Sequence, residues 1–128
     1  MIYLDTSVLL ARLFAEDRSP PDGLWSQTLV ASRLLEYEVF NRVHARMAGA
    51  SHGEDARRLM DRIHLVEMSP VVLGRARLPF AVPVRTLDAL HLATMVFLRG
   101  RGLEPALASY DQRLSEAAVS EGFVLAPC

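Results

Sequence analysis

Lysine is absent from this chain: all fourteen basic side chains are arginine. A P-loop needs a lysine at the phosphates, and receiver-type or dehalogenase-type phosphotransfer sites normally use one too. Those phosphate chemistries on α/β folds are therefore disfavoured. Cysteine is nearly absent as well. Cys128 is the single thiol, so no internal disulfide forms, and its place at the last position reads as inert tail rather than nucleophile. No HExxH occurs, and His44, His52 and His64 lack zinc-ligand spacing. No apolar run approaches the length needed to cross a bilayer, and neither repeats nor an interdomain linker are present. The opening Met1-Ile-Tyr-Leu-Asp5 lacks a basic leader and places an acid where a signal peptide stays apolar, so a cytoplasmic location is expected.

What is present suits an ordinary folded protein. With 51% hydrophobic and 23% charged residues the chain is no candidate for disorder. Its 128 residues fit one domain, 1–128, with room for a core. The pattern alternates strand and helix. Residues 1–5 read as a buried strand and 7–15 as a helix, followed by a break at Arg18–Gly23 and a short helix from Pro20 or Pro21 to Gln27. Residues 28–31 read as a second strand, and Ser32 as the cap of a long helix to about Ala48. Gly49–Gly53 reads as a loop, 54–63 as a helix and 64–67 as a short third strand. Ser69-Pro70 starts a helix to about Arg77, 78–85 is a loop, and Thr86 caps a helix ending near Arg99. A fourth strand at 106–109, a helix at 112–122 and a last strand at 123–126 complete the series. Such alternation predicts a three-layer α/β/α sandwich around a mostly parallel sheet of four to five strands. Ligands of these sheets bind beyond the carboxyl ends of the strands, where strand order reverses.

Four acids sit where strands give way to helices or in a helix's early turns: Asp5, Glu38, Asp88 and Asp111. Asp5 and Asp111 each have an ordinary role as helix caps. Asp88 is harder to dismiss, because Leu87, Ala89, Leu90, Leu92, Ala93, Met95, Val96, Phe97 and Leu98 leave its helix almost no polar face. A carboxylate there needs a partner, a metal or an arginine, to offset desolvation. Glu36 and Glu38 project about 200° apart on their helix, and periodicity does not decide which enters a shared pocket. Several carboxylates in one pocket repel unless a cation sits among them. Set apart from those four, the rest of the chain is slightly basic, which suits a polyanionic substrate.

His91, three residues after Asp88, reads as a structural imidazole or as one that orients a carboxylate. Arg99-Gly-Arg-Gly102 reads as a helix C-cap, while Arg75, Arg77 and Arg85 approach Asp88 from the side where phosphate contacts are wanted.

At these residues the chain resembles the PIN-domain family, in particular the VapC-like toxins of bacterial toxin–antitoxin pairs. Met1-Ile-Tyr-Leu-Asp5-Thr-Ser-Val8 is similar to the family's first motif, and Ser32-Arg-Leu-Leu-Glu-Tyr-Glu38-Val-Phe-Asn-Arg42 to its second, an alignment that selects Glu38. Thr86-Leu-Asp88-Ala-Leu-His91-Leu-Ala93 is similar to the third, and Ser109-Tyr-Asp111 to the fourth. The resemblance implies a Mg²⁺-dependent or Mn²⁺-dependent endoribonuclease, commonly a homodimer, held inactive by a cognate antitoxin protein. It also implies strands one and four adjacent at the middle of the sheet. Carboxylates plus water suit these hard cations. Asp5, Asp88 and Asp111 are then the expected metal ligands, with Glu38 a ligand through water or a general base. Thr6 and Ser109 are accessory hydroxyls for metal waters or phosphate. The alternatives are a non-catalytic module whose acidic pocket receives a basic peptide, and a phosphatase acting on a small phosphoester.

Overall fold

The computed structural model describes residues 1–128. Four short strands, β1 (Ile2–Leu4), β2 (Leu29–Ser32), β3 (His64–Val66) and β4 (Ala106–Ala108), form one sheet in the order β3-β2-β1-β4, and every pairing is parallel. Six helices connect or flank them: α1 (Thr6–Leu13), α2 (Leu34–Ala45), α3 (Gly49–Met60), α4 (Pro70–Ala76), α5 (Thr86–Gly100) and α6 (Gln112–Ser120). No helix is long and apolar enough to cross a membrane.

Two apolar clusters follow from the alternation of side chains along each strand. Ile2, Leu4, Leu29, Ala31 and Ala108 face one side, where they pack with Leu9 of α1, Leu35 and Val39 of α2, and Ala56 and Met60 of α3. Tyr3, Val30 and Leu107 face the other, against Leu92, Met95 and Leu98 of α5 and Leu114, Ala117 and Ala118 of α6. A sheet covered on both faces explains why its strands are continuous apolar runs. The expected three-layer α/β/α sandwich is what the chain adopts.

Three boundaries differ from those expected. Residues 123–126 contribute one bridge, Leu125 to Leu107, rather than a strand, so the sheet has four strands and β4 is an edge beside β1. Val124 is 70% exposed, yet its carbonyl accepts from the Leu107 amide at 2.9 Å and the Ala126 amide donates to the Leu107 carbonyl at 2.7 Å, so the segment covers the β4 edge at one residue only. The anticipated 49–53 loop is the first turn of α3, with the His52 amide bonded to the Ala48 carbonyl at 2.8 Å. The chain turns instead at Met47, which has a φ of +52° and a side chain in solvent. Glycine was thus a misleading signal: the helix absorbs two glycines while a methionine makes the turn. Thr86 lies inside α5 and makes no cap, whereas the Ser32 hydroxyl does accept from the Leu34 amide at 3.1 Å. Gly102, at φ +83°, closes α5 as the sequence suggests.

A Cβ added at Gly53 would meet only the tip of Arg57 at 3.8 Å, an ordinary contact. Gly53→Ala is therefore expected to stabilise the fold by about 0.4–1 kcal/mol. Gly102→Ala, at a left-handed position, is expected to cost about 1–2 kcal/mol. Urea unfolding checks both, and a Gly53→Ala loss would mean that this segment is not helical.

Candidate active site

Strand order reverses at β1: the chain adds β2 and β3 on one side and later β4 on the other. The acids gather at the carboxyl ends of these strands. Asp5 follows β1 directly and is the N-cap of α1, accepting from the Ser7 amide at 3.3 Å. Asp111 follows β4 through Ser109-Tyr110 and is the N-cap of α6, accepting from the Arg113 and Leu114 amides at 2.9 and 3.2 Å. Asp88 lies in the first turn of α5, and Glu38 projects from α2. All four line one cleft of about 660 Å³, with Thr6, Ser7, Asn41, Arg42, Arg85 and His91. The capping and functional readings of Asp5 and Asp111 prove compatible. A cap places the carboxylate at the positive end of a helix dipole, and three helices present that end here.

The hydrogen bonds share a pattern. Asp5 Oδ2 accepts from the Ser7 hydroxyl and from the Ser109 hydroxyl at 3.0 Å, while Oδ1 has no protein donor. Glu38 Oε1 accepts from the Thr6 hydroxyl at 2.9 Å and meets His91 Nε2 at 2.8 Å, while Oε2 has none. In Asp111, Oδ1 caps α6 and Oδ2 is free. Asp88 has no hydrogen-bond donor at all. Each tethered acid is thus fixed through one oxygen and leaves the other open. Thr6 and Ser109, expected to reach metal waters or phosphate, are engaged with the carboxylates instead. Glu38 rather than Glu36 enters the cleft, since Glu36 pairs with Arg33 at 2.8 Å outside it.

His91 is 1% exposed and sits on a relay that its sequence spacing does not reveal. The Ser32 amide donates to the Tyr3 hydroxyl at 3.2 Å, and that hydroxyl lies 2.8 Å from His91 Nδ1. Burial raises the Tyr3 phenol far above its ordinary value, so it keeps its proton. Burial alone would lower His91, but the hydrogen bond to Glu38 and the charges of Glu38, Asp5 and Asp88 outweigh it and raise the imidazole. Neutral or charged, Nε2 carries the hydrogen donated to Glu38. His91 therefore does orient a carboxylate, on another helix rather than one turn away. Ser7 escaped the sequence reading too. Its hydroxyl donates to Asp5 and accepts from the Tyr110 amide at 2.9 Å, joining the β4–α6 loop to α1. Its place beside Asp5 and Thr6 was the available signal.

Of the arginines expected near phosphate, Arg85 lines the cleft. Arg75 is engaged elsewhere, stacked on Phe80 at 4.1 Å and 3.9 Å from Glu121. Arg77 borders a separate apolar cleft of about 830 Å³ beside α4 and α5, which holds no carboxylate.

The electrostatics reveal the shared space. Asp88 is pushed above the ordinary carboxylate range, first by burial and then by the negative charges of Asp111 and Asp5, with His91 and Arg85 offsetting part of the effect. No three acidic or imidazole side chains form a ready-made ligand set. Open oxygens on several carboxylates, one of them destabilised by its neighbours, nevertheless fit a hard dication that keeps much of its water and takes one or two carboxylates directly.

Comparison with known proteins identifies the family of the chain. The PIN domain family matches residues 2–120. Ribonuclease VapC47 of Mycobacterium tuberculosis (strain CDC 1551 / Oshkosh) is 32% identical, over 98% of this chain and 96% of that protein. The crystal structure of M. tuberculosis VapC20, a sarcin–ricin loop cleaving toxin, superposes with a TM-score of 0.70 at 20% identity, over 100% of both chains. A chain of a toxin–antitoxin complex from Klebsiella pneumoniae gives 0.67 at 16% identity, over 100% of this chain and 98% of that one.

A carboxyl whose folded pKa lies above its unfolded one opposes folding once pH rises past the unfolded value, and does not below it. Asp88→Asn is therefore expected to stabilise the metal-free fold at neutral pH, with the gain vanishing as pH falls below the ordinary value of 3.8. Thermal unfolding across that range checks it. A gain independent of pH would show that the ionised carboxylate is not its source.

Proposed function

This chain belongs to the PIN-domain family of VapC toxin ribonucleases, and from that premise we propose that it is an endoribonuclease acting with Mg²⁺ at Asp5, Glu38, Asp88 and Asp111, Mn²⁺ being able to substitute. One observation carries the reading: four carboxylates lining one cleft leave open oxygens, and Asp88 is raised first by burial and then by its acidic neighbours. A bound divalent ion supplies that site with a lowered pKa for coordinated water and with charge neutralisation at a phosphodiester.

The chain's own residues do the positioning. Asp5 Oδ1, Asp111 Oδ2 and the Asp88 carboxylate are the oxygens that would hold the ion. Ser7 and Ser109 keep Asp5 from rotating by gripping its other oxygen. Thr6 and His91 do the same for Glu38, which leaves Oε2 to accept a proton from water or to bind the ion through water. Arg85, in the cleft beside Asp88, can draw a substrate phosphate toward the acids. The toxin–antitoxin neighbour supports a further part of the proposal: a cognate antitoxin holds the enzyme inactive by covering this cleft. A homodimer is the expected assembly.

Asp5→Asn is expected to abolish metal-dependent cleavage of RNA while the circular dichroism spectrum and the unfolding midpoint stay close to those of the parent. Cleavage at the parental rate would refute the assignment. Thr6→Val removes one of the two donors on Glu38 and is expected to lower metal affinity or activity by roughly 10–100-fold. Isothermal titration with Mn²⁺, alongside cleavage assays, separates the two effects.

A further inference from the structure

Most arginines of this chain already have a partner: a carboxylate, a backbone carbonyl or an aromatic ring. The guanidinium groups of Arg42, Arg77, Arg85 and Arg113 have none. Arg77 borders the apolar cleft, but the other three surround the acidic one. Two further cavities open from the acidic cleft through different walls. One, of about 600 Å³, shares Ser7, Leu10 and Arg42 with it and adds Arg18 and Tyr110. The other, of about 540 Å³, shares Arg85 and Asp88 and adds Arg113. These two outer cavities have no residue in common. The three form a trough with the four site acids at the centre and free arginines on two separate sides, beside Glu16 and Asp17 on one and Glu116 on the other.

Building on the ribonuclease reading, we propose that this trough is the path of a single RNA strand. Arg42, with Arg18, holds the backbone on one side of the cleaved bond, and Arg85 with Arg113 holds it on the other. An unpaired guanidinium beside carboxylates it does not bridge is placed for an incoming anion. A small phosphoester reaches one such side, whereas a polynucleotide carries a phosphate at every step and engages both. Arg18 lies over the Tyr110 ring at 5.6 Å, and a guanidinium stacked on a ring keeps edge N–H groups free for phosphate oxygens. Cavities of about 600 and 540 Å³ suit a flexible strand or loop better than a rigid duplex.

The test uses the full chain with Asp5→Asn to block cleavage, and an RNA oligonucleotide centred on a position that the wild-type protein is first shown to cut. Binding is measured over a salt series. Arg42→Gln and Arg113→Gln are each expected to weaken binding and to flatten the logarithmic salt slope by about 0.7, the contribution of one phosphate contact on a single strand. Arg77→Gln is expected to change neither. Shortening the oligonucleotide on one side of the cut removes the effect of Arg42→Gln alone, and shortening it on the other removes that of Arg113→Gln alone. Unchanged slopes, or both effects lost with the same truncation, overturn the path while cleavage by the wild type leaves the enzymatic reading standing. Unchanged slopes would also be the result if these arginines served a protein partner. A wild-type chain that neither binds nor cuts RNA under Mg²⁺ or Mn²⁺ overturns both.

Discussion

Negative charges brought together in a partly buried cleft oppose the fold that gathers them, and much of this molecule is arranged around that opposition. Asp5, Asp88 and Asp111 raise no difficulty far apart in the chain, but the sheet order delivers them to one place. Helix N-termini supply part of the compensation, since Asp5 and Asp111 cap α1 and α6 and Asp88 lies in the first turn of α5. Hydroxyl and amide donors supply more, and they do so on one oxygen of each tethered acid. Asp88, which has no such donor, carries the cost of burial first and of the remaining repulsion second. A site organised in this way keeps open carboxylate oxygens and is not closed by its own hydrogen bonds.

The same donors tie the site to the core. Tyr3 belongs to the buried face of β1, yet its hydroxyl links the end of β2 to His91 of α5, and His91 reaches Glu38 on α2. Thr6 of α1 meets the same Glu38 oxygen. Elements from both sides of the sheet thus converge on one carboxylate. A buried polar chain of this kind is favourable only when all its members are satisfied, so loss of one link exposes the others to unpaired burial. Position and stability are coupled at this point by geometry rather than by proximity in sequence.

The fold was largely legible because a doubly covered parallel sheet writes itself into sequence as short apolar runs alternating with longer amphipathic or apolar helices. The readings that missed have local causes. Gly49 and Gly53 suggested a loop, yet helix packing tolerates glycine and Met47 accepts the positive φ. Residues 123–126 had a strand's composition but meet β4 at Leu107 alone, through the Val124 carbonyl and the Ala126 amide. Among the acids, Glu36 and Glu38 were equivalent by periodicity. Their separation came from Arg33, which draws Glu36 to the surface, and from Thr6 and His91, which draw Glu38 inward.

By itself the chain's order of residues determined the alternation of strands and helices, the caps that set Asp5 and Asp111 at helix starts, and the chemical type of the site. Those are consequences of short-range periodicity and backbone hydrogen bonding, which neighbouring residues specify. Tertiary structure alone decided that His91 serves Glu38 rather than Asp88, that Thr6, Ser7 and Ser109 hold carboxylates, and which arginines remain free beside the cleft. Hydrogen bonds and Coulomb forces act over a few ångströms in space, and residues separated by 32, 53 and 104 positions become neighbours only after the sheet has formed.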